Sequence, residues 1–211
     1  MMILNRVAFF QNRRDEVPNQ VLAAELAETG NEEGIRQIAD NLRNPTPAIA
    51  ADCLKVLYEV GYRRPDLIAG YYRDFLGLLG SRNNRLVWGG MIALATIARL
   101  RAHELFPAAE TVKAAMAVGS VITVDAGVKV LAAVAAADGA YLQSLFPFLL
   151  AHLESCRPRD LPPHAEEILI CLDDEHRGAF VQVLQARLAE LTPTQARRLS
   201  KVAMQAASRQ A

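Results

Sequence analysis

Apolar positions along this chain repeat at a fixed interval. Ile38, Phe75, Val112 and Leu149 stand 37 residues apart, as do Leu42, Leu79, Met116 and Leu153, and Ile35, Tyr72, Ala109 and Phe146. Within each unit they fall at i, i+3 and i+7, which is one face of a helix. A second set follows: Leu57, Leu94, Leu131 and Ile168; Leu54, Met91, Val128 and Ala165; Val60, Ile97, Val134 and Cys171. It predicts a second helix in every unit. Polar residues mark the turn between the two. Thr46, Asn83 and Ser120 share one register, each placed as an N-cap whose side-chain oxygen accepts a bond from an orphan amide. Pro47 follows at the first helical position, where a missing N–H costs nothing. Small residues recur at Cys53, Gly90 and Gly127. Glycine inside a helix costs about 1 kcal/mol against alanine, so its recurrence at one register predicts that two helices approach closely there.

A helix pair of this size cannot bury its apolar face alone, so neighbouring pairs must stack. The unit resembles the HEAT and armadillo-like repeats. Asp52-Cys53-Leu54-Lys55-Val56-Leu57-Tyr58-Glu59-Val60-Gly61 is similar to a HEAT second helix, and Leu145-Phe146-Pro147-Phe148-Leu149-Leu150 to a HEAT first helix with its internal, kinking proline. The resemblance spans roughly residues 31–191, although the aspartate–arginine pairing typical of HEAT repeats is not repeated here. It implies an all-α fold, a right-handed α–α superhelix of helix–turn–helix repeats of about 37 residues, with the second helices lining a concave surface. The expected organisation is a single domain, 1–211. Capping helices at 3–12 and 18–29 fill residues 1–30, four repeats fill 31–174, and a last pair at about 175–191 and 193–208 fills 175–211. Asp160-Leu161-Pro162-Pro163 shortens the fourth second helix, and Thr192-Pro193-Thr194-Gln195 resembles a capping box.

Composition agrees with helices. Apolar residues make up 52% and aromatics only 6%, whereas strands favour aromatic and β-branched residues. The 23 basic and 23 acidic residues balance, so the overall basic excess typical of nucleic-acid binders is absent. Cys53, Cys156 and Cys171 fit neither a disulfide framework nor a zinc knuckle and are expected as buried thiols. The start, Met1-Met2-Ile3-Leu4-Asn5-Arg6, does not read as a signal peptide. The most apolar stretch, Ala114 to Ala137, carries Asp125 and Lys129 and makes a poor membrane span. The expectation is a cytoplasmic protein with no membrane partner.

No glycine-rich phosphate loop and no His-Glu-x-x-His occurs, so no enzyme, cofactor or metal is expected. Asp173-Asp174-Glu175-His176 reads as a solvated turn. His103-Glu104 is similar to the paired motifs of the di-iron HEAT-repeat hydroxylases, but Asp66 and Ala140 stand at the equivalents of His103, which sets that chemistry aside. His152 and His164 read as packed or surface residues. Some HEAT-like arrays are DNA glycosylases acting on alkylated bases, and that class supplies the alternative function. Arg63, Arg64, Arg82, Arg85, Arg99 and Arg101 lie near repeat turns and Trp88 is an aromatic candidate, yet Asp52, Glu59, Asp125, Glu166 and Glu167 dilute a basic groove.

The helix predicted over 84–100 centres its core on Val87, Met91, Leu94 and Ala98, which turns Trp88, Ile92, Ala95 and Arg99 away. Lys55 and Lys129 are the equivalents of Ile92, and Ala51 and Asp125 those of Trp88. The resemblance therefore implies a concave partner-binding face built from Lys55, Tyr58, Glu59, Trp88, Ile92, Arg99 and Lys129. An aromatic anchor inside a polar rim is the anatomy of a protein-binding hot spot. The primary expectation is a scaffold or adaptor for a protein or peptide partner, with homodimerisation through the same groove as a further option.

Overall fold

Helix starts follow the polar turn residues. In the computed structural model, which describes residues 3–208, α3 (Pro47–Arg63), α5 (Asn84–Ile97) and α8 (Val121–Ala135) open directly after Thr46, Asn83 and Ser120. Asn83 caps with its side chain, accepting from the Arg85 amide at 3.0 Å, and Ser120 Oγ accepts from the Thr123 amide at 3.4 Å. Thr46 departs from the expectation, because its side chain caps nothing. Its own amide instead donates to Asn44 Oδ1 at 2.9 Å, so the residue two positions upstream fixes that turn. The remaining helices are α1 (Val17–Thr29), α2 (Glu32–Ala39), α4 (Tyr72–Leu78), α6 (Ala102–Leu105), α7 (Ala109–Val118), α9 (Gly139–Ser155), α10 (Leu161–Ile168), α11 (Asp174–Ala186) and α12 (Pro193–Ser208). Among the described residues there is no strand. The fold is the all-α helical-repeat class.

Contacts divide the chain into two compact units, Met1–Gly127 and Val128–Ala211, with the division inside α8. In the first unit α3 is central, packed by α1, α2 and α5. Residues 51–58 are all buried, as befits a helix covered on several sides. Leu22 and Leu26 of α1, Leu54 and Leu57 of α3, Phe75 of α4 and Met91 and Leu94 of α5 are among its most buried side chains. The core face predicted for α5 is the buried one: Val87, Met91, Leu94 and Ala98 are all inside. In the second unit α11 packs on α9 and α12, and α10 packs on α9 and α12. Pro147 sits inside α9, which continues to Ser155. The capping box at α12 forms: Gln195 Oε1 accepts from the Thr192 amide at 3.0 Å, and the Gln195 amide reaches Thr192 Oγ1 at 3.5 Å.

The N-terminal segment does not form the helix expected over 3–12. A 3-10 turn covers Ile3–Arg6, turns follow, and Asn12 takes a positive φ of 53°. Side-chain competition explains the difference. Buried Asn19 accepts the Ala8 amide at 2.9 Å and buried Asp52 accepts the Phe9 amide at 2.8 Å. Both amides are thereby aimed across at α1 and α3. Arg6 and Glu25 add a bidentate pair at 2.7 and 2.5 Å. The segment is a strap laid over the first two long helices.

Two of the three recurrent small residues, Gly90 and Gly127, sit where a second helix meets the first helix of its own pair. A Cβ on Gly90 would stand 3.0 Å from Leu78 Cβ and 3.1 Å from the Phe75 carbonyl oxygen, both in α4. A Cβ on Gly127 would meet Met116 Cγ of α7 at 2.4 Å. Contact between successive second helices uses other glycines. A Cβ on Gly61 of α3 would lie 2.3 Å from Thr96 Oγ1 and 2.9 Å from Thr96 Cβ of α5.

Threonine is stiff at χ1, so added bulk at Gly61 must push α3 and α5 apart. Gly61→Ala should lower the unfolding free energy by about 1–3 kcal/mol, the usual cost of overpacking. Nothing lies within 4 Å of a Cβ on Gly77 in α4. Gly77→Ala should therefore be neutral or stabilising by up to about 1 kcal/mol through helix propensity. Urea denaturation of the two variants checks this, and equal effects would show that Gly61 does not set the spacing.

Candidate functional site

The expected partner-binding residues of the first unit gather on α3 and α5. Tyr58 of α3 is the hinge of an aromatic row. Its ring centroid lies 6.0 Å from Tyr62, one turn on, at an interplanar angle of 76°. It lies 6.4 Å from Trp88 of α5, at 57°. Tyr58 is 5% exposed and Tyr62 is 62% exposed, with Trp88 partly exposed between those extremes. The row thus rises from the core to solvent across two neighbouring helices. Gly89 permits the approach: a Cβ there would come within 2.6 Å of Leu54 Cδ2 and 3.9 Å of the Tyr58 ring. Ile92, one turn after Trp88, is half-buried, and Arg99 is exposed beyond the end of α5.

Charged groups run beside the aromatic row. Lys55 Nζ stands 4.8 Å from the Tyr58 ring centroid, 2.8 Å from Glu59 Oε1 and 2.9 Å from Glu16 Oε2. Glu59 also pairs with Arg63 at 3.2 Å. Arg85 of α5 lies 3.5 Å from Glu16 and 3.7 Å from Asp52. Three acids, Glu16, Asp52 and Glu59, therefore face three bases, Lys55, Arg63 and Arg85, and the network sums to zero. Burial pushes the Tyr58 phenol up, with Lys55 working against that. Burial disfavours the Lys55 ammonium, but hydrogen bonds to Glu59 and Glu16 outweigh it and hold its pKa above the ordinary lysine value. Lys55 is locked in its charged form.

Two of the expected contact residues are buried. Lys55 and Tyr58 are 8% and 5% exposed, because Glu16 folds over the first and the neighbouring aromatics flank the second. Glu59, half-buried, belongs to the same lattice. Of their neighbours, Tyr62 and Arg99 are exposed, and Trp88 and Ile92 are half-buried. Tyr62 and Glu16 escaped the sequence reading. Tyr62 lies one turn after Tyr58, so aromatic spacing along α3 carries its signal. Glu16 stands immediately before α1, outside the repeat register. Lys129 lies in the other unit, exposed and 3.4 Å from Glu167. Of the arginines noted for a basic groove, Arg63 and Arg85 belong to the neutral network, Arg64 pairs with Asp66 at 2.8 Å and Arg101 with Glu104 at 2.9 Å.

In the second unit, Asp173 is a helix cap. Its Oδ1 accepts the His176 amide at 3.0 Å and meets His176 Nδ1 at 2.6 Å, while the His176 ring packs 4.5 Å from that of Phe146. The group able to hold a metal lies elsewhere: His152, Cys156 and His164 bring their donor atoms within 4.8 Å of one another.

No protein-family model and no curated protein matches the chain. Similar solved structures include a designed armadillo repeat protein in complex with the peptide (KR)4, at TM-score 0.69 and 13% identity over 89% of this chain and 86% of that one. An engineered protein matches at TM-score 0.68 and 15% identity over 98% and 96% of the two chains. Computationally designed armadillo repeat proteins for modular peptide recognition match at 0.67 and 14%, over 88% and 85%. At these identities the likeness establishes the fold, which is that of the armadillo and HEAT-like helical-repeat proteins.

Glu59 gives the site a pH signature. Burial raises its carboxyl, and Lys55 and Arg63 more than offset this, so the folded value lies below the ordinary one. A carboxyl with a lowered folded value adds stability above its unfolded value, about 4.3, and loses it as pH falls through the folded value. Glu59→Gln should flatten the fall in stability below about pH 5, measured by denaturant midpoints from pH 6 to pH 3. An unchanged slope would place the acid sensitivity outside this network.

Proposed function

We propose that the chain is a peptide-binding scaffold whose face is the aromatic row on α3 and α5. The observation that carries the reading is the gradient along that row, from buried Tyr58 to exposed Tyr62 and half-exposed Trp88. Rigid aromatics supply contact area at low entropic cost, and pre-organised ones cost a ligand least. The salt-bridge lattice beneath fixes them before any partner arrives. A similar fold carries the peptide (KR)4 in one designed armadillo protein, which supports peptide capture as a use of this architecture. The charges here cancel, so the favoured ligand is not strongly cationic. It is an extended segment that offers an apolar or aromatic side chain to Tyr62, Trp88 and Ile92, with polar neighbours for Arg99. The proposed role is binding, with no chemical step at this face.

Selection from a displayed random-peptide library, followed by fluorescence anisotropy, tests this. Selected peptides should share an apolar or aromatic residue. Tyr62→Ala and Ile92→Glu should each weaken them at least about tenfold, roughly 1.4 kcal/mol, with melting temperature essentially unchanged for the exposed Tyr62. Peptides that bind both variants as well as the parent would sink the proposal. A ligand set made only of basic sequences, or binding of DNA that falls steeply with salt, would also move the function away from this face.

A further inference from the structure

Two imidazoles and a thiol meet at the junction of α9 and α10. His152 lies in the last turn of α9, and Cys156 is the residue that ends it, four positions on and on the same face. The chain then turns back. Asp160 is held by Arg157 at 2.6 Å, and the Leu161 amide bonds the Arg157 carbonyl at 3.2 Å. Pro162 and Pro163 open α10 and bring His164 into its first turn. His164 is 3% exposed, while His152 and Cys156 are half-buried. The ring nitrogens His152 Nε2 and His164 Nδ1 are 2.9 Å apart, with the rings tilted at 44° and centroids 4.9 Å apart. With Cys156 Sγ, all three donor atoms fall within 4.8 Å of one another.

We propose that His152, Cys156 and His164 form a zinc site with three protein ligands and a fourth position open to water or another donor. Tetrahedral zinc, bound at about 2.0–2.1 Å to nitrogen and 2.3 Å to sulfur, sets its donors roughly 3.4 Å apart for N···N and 3.6 Å for N···S. The present spans bracket those values, so side-chain shifts of about an ångström close the site on an ion. The donor set also selects the metal class. Two imidazoles with one thiolate suit a borderline-soft ion, and the absence of a carboxylate among these donors disfavours magnesium and calcium.

The surroundings prepare the sulfur. Arg187, 8% exposed, ends α11 and donates to the Leu153 carbonyl at 2.7 Å. Its Nη1 also reaches Cys156 Sγ at 3.7 Å. Glu190 clasps the same guanidinium at 2.5–3.1 Å, which cancels its charge locally while leaving the N–H aimed at sulfur. On balance burial pushes the Cys156 thiol above its ordinary value, with Arg187 working against it, so the metal itself must displace the proton. Metal uptake releases the thiol proton to solvent and forms the sulfur–zinc bond, with no change of oxidation state. Arg187 is then the donor that orients the thiolate, as hydrogen bonds to ligand atoms orient them around a bound metal.

Chelator-treated full-length protein titrated with zinc in a calorimeter, and separately with cobalt in a spectrophotometer, tests the site. The expected result is one zinc per chain, a rise in melting temperature, and a near-ultraviolet sulfur-to-cobalt charge-transfer band. Cys156→Ser should abolish that band and weaken zinc at least about a hundredfold. His152→Asn, at a half-buried position, should also weaken zinc and keeps the test valid if the serine variant fails to fold. Absence of saturable zinc uptake by the parent overturns the proposal and leaves a plain imidazole–imidazole hydrogen bond. The same cobalt band in Cys156→Ser would overturn it too, by moving the sulfur donor to another cysteine.

Discussion

Close approach of helix backbones is the constraint on which this chain depends. Stacked pairs bury their apolar faces only if second helices come near both their own first helix and the next second helix. Gly90 and Gly127 serve the first need, against the Phe75 carbonyl and Met116, while Gly61 and Gly89 serve the second, against Thr96 and Leu54. Each glycine costs helix stability where it stands. The return is dispersion contact along the whole of α3 and α5, collected over many atoms. The position of Trp88 follows from this spacing, because a wider gap at Gly89 would separate its ring from Tyr58.

Electrostatics then refines what packing has placed. Lys55 is a buried cation, and a buried charge is tolerated only with partners that satisfy it. Glu16, Glu59 and the Tyr58 ring supply them. One partner comes from α3 itself and one from the residue just before α1, so the ammonium ties a local helical pair to a distant segment. Removing both carboxylates would leave a desolvated charge, so the pairing of Lys55 depends on Glu16 and Glu59 together.

Much of this architecture can be read from the sequence, and the limits have physical causes. Helix faces were legible because apolar periodicity reports burial directly: Val87, Met91, Leu94 and Ala98 are inside, and Trp88, Ile92 and Arg99 are turned away. Caps were legible where the side chain is short and local, as at Asn83 and Thr192, but Thr46 makes no cap and its own amide is held by Asn44. Long-range polar contacts were not legible. Nothing in the local pattern of residues 3–12 announces that Asn19 and Asp52 will take their amides, and nothing at the start of α1 announces that Glu16 will cover Lys55. The same holds for His152 and His164. Their spacing through Cys156 is visible, yet only the proline-driven reversal into α10 brings the rings together.

The strap carries a consequence for how this sequence tolerates change. Asn19 and Asp52 grip it by main-chain N–H groups, which every residue except proline possesses. The side chains of Phe9 and Phe10 point largely outward, at 43% and 45% exposure. Identity at positions 9 and 10 is therefore nearly free to drift while register stays fixed, because recognition is written in the backbone. The constraint falls instead on the two acceptors, buried in α1 and α3, and on Val7 and Ala8, which are buried in the strap itself. Variation at positions 9 and 10 should therefore coexist with constancy at Asn19 and Asp52, and proline should be shunned at positions 8 and 9.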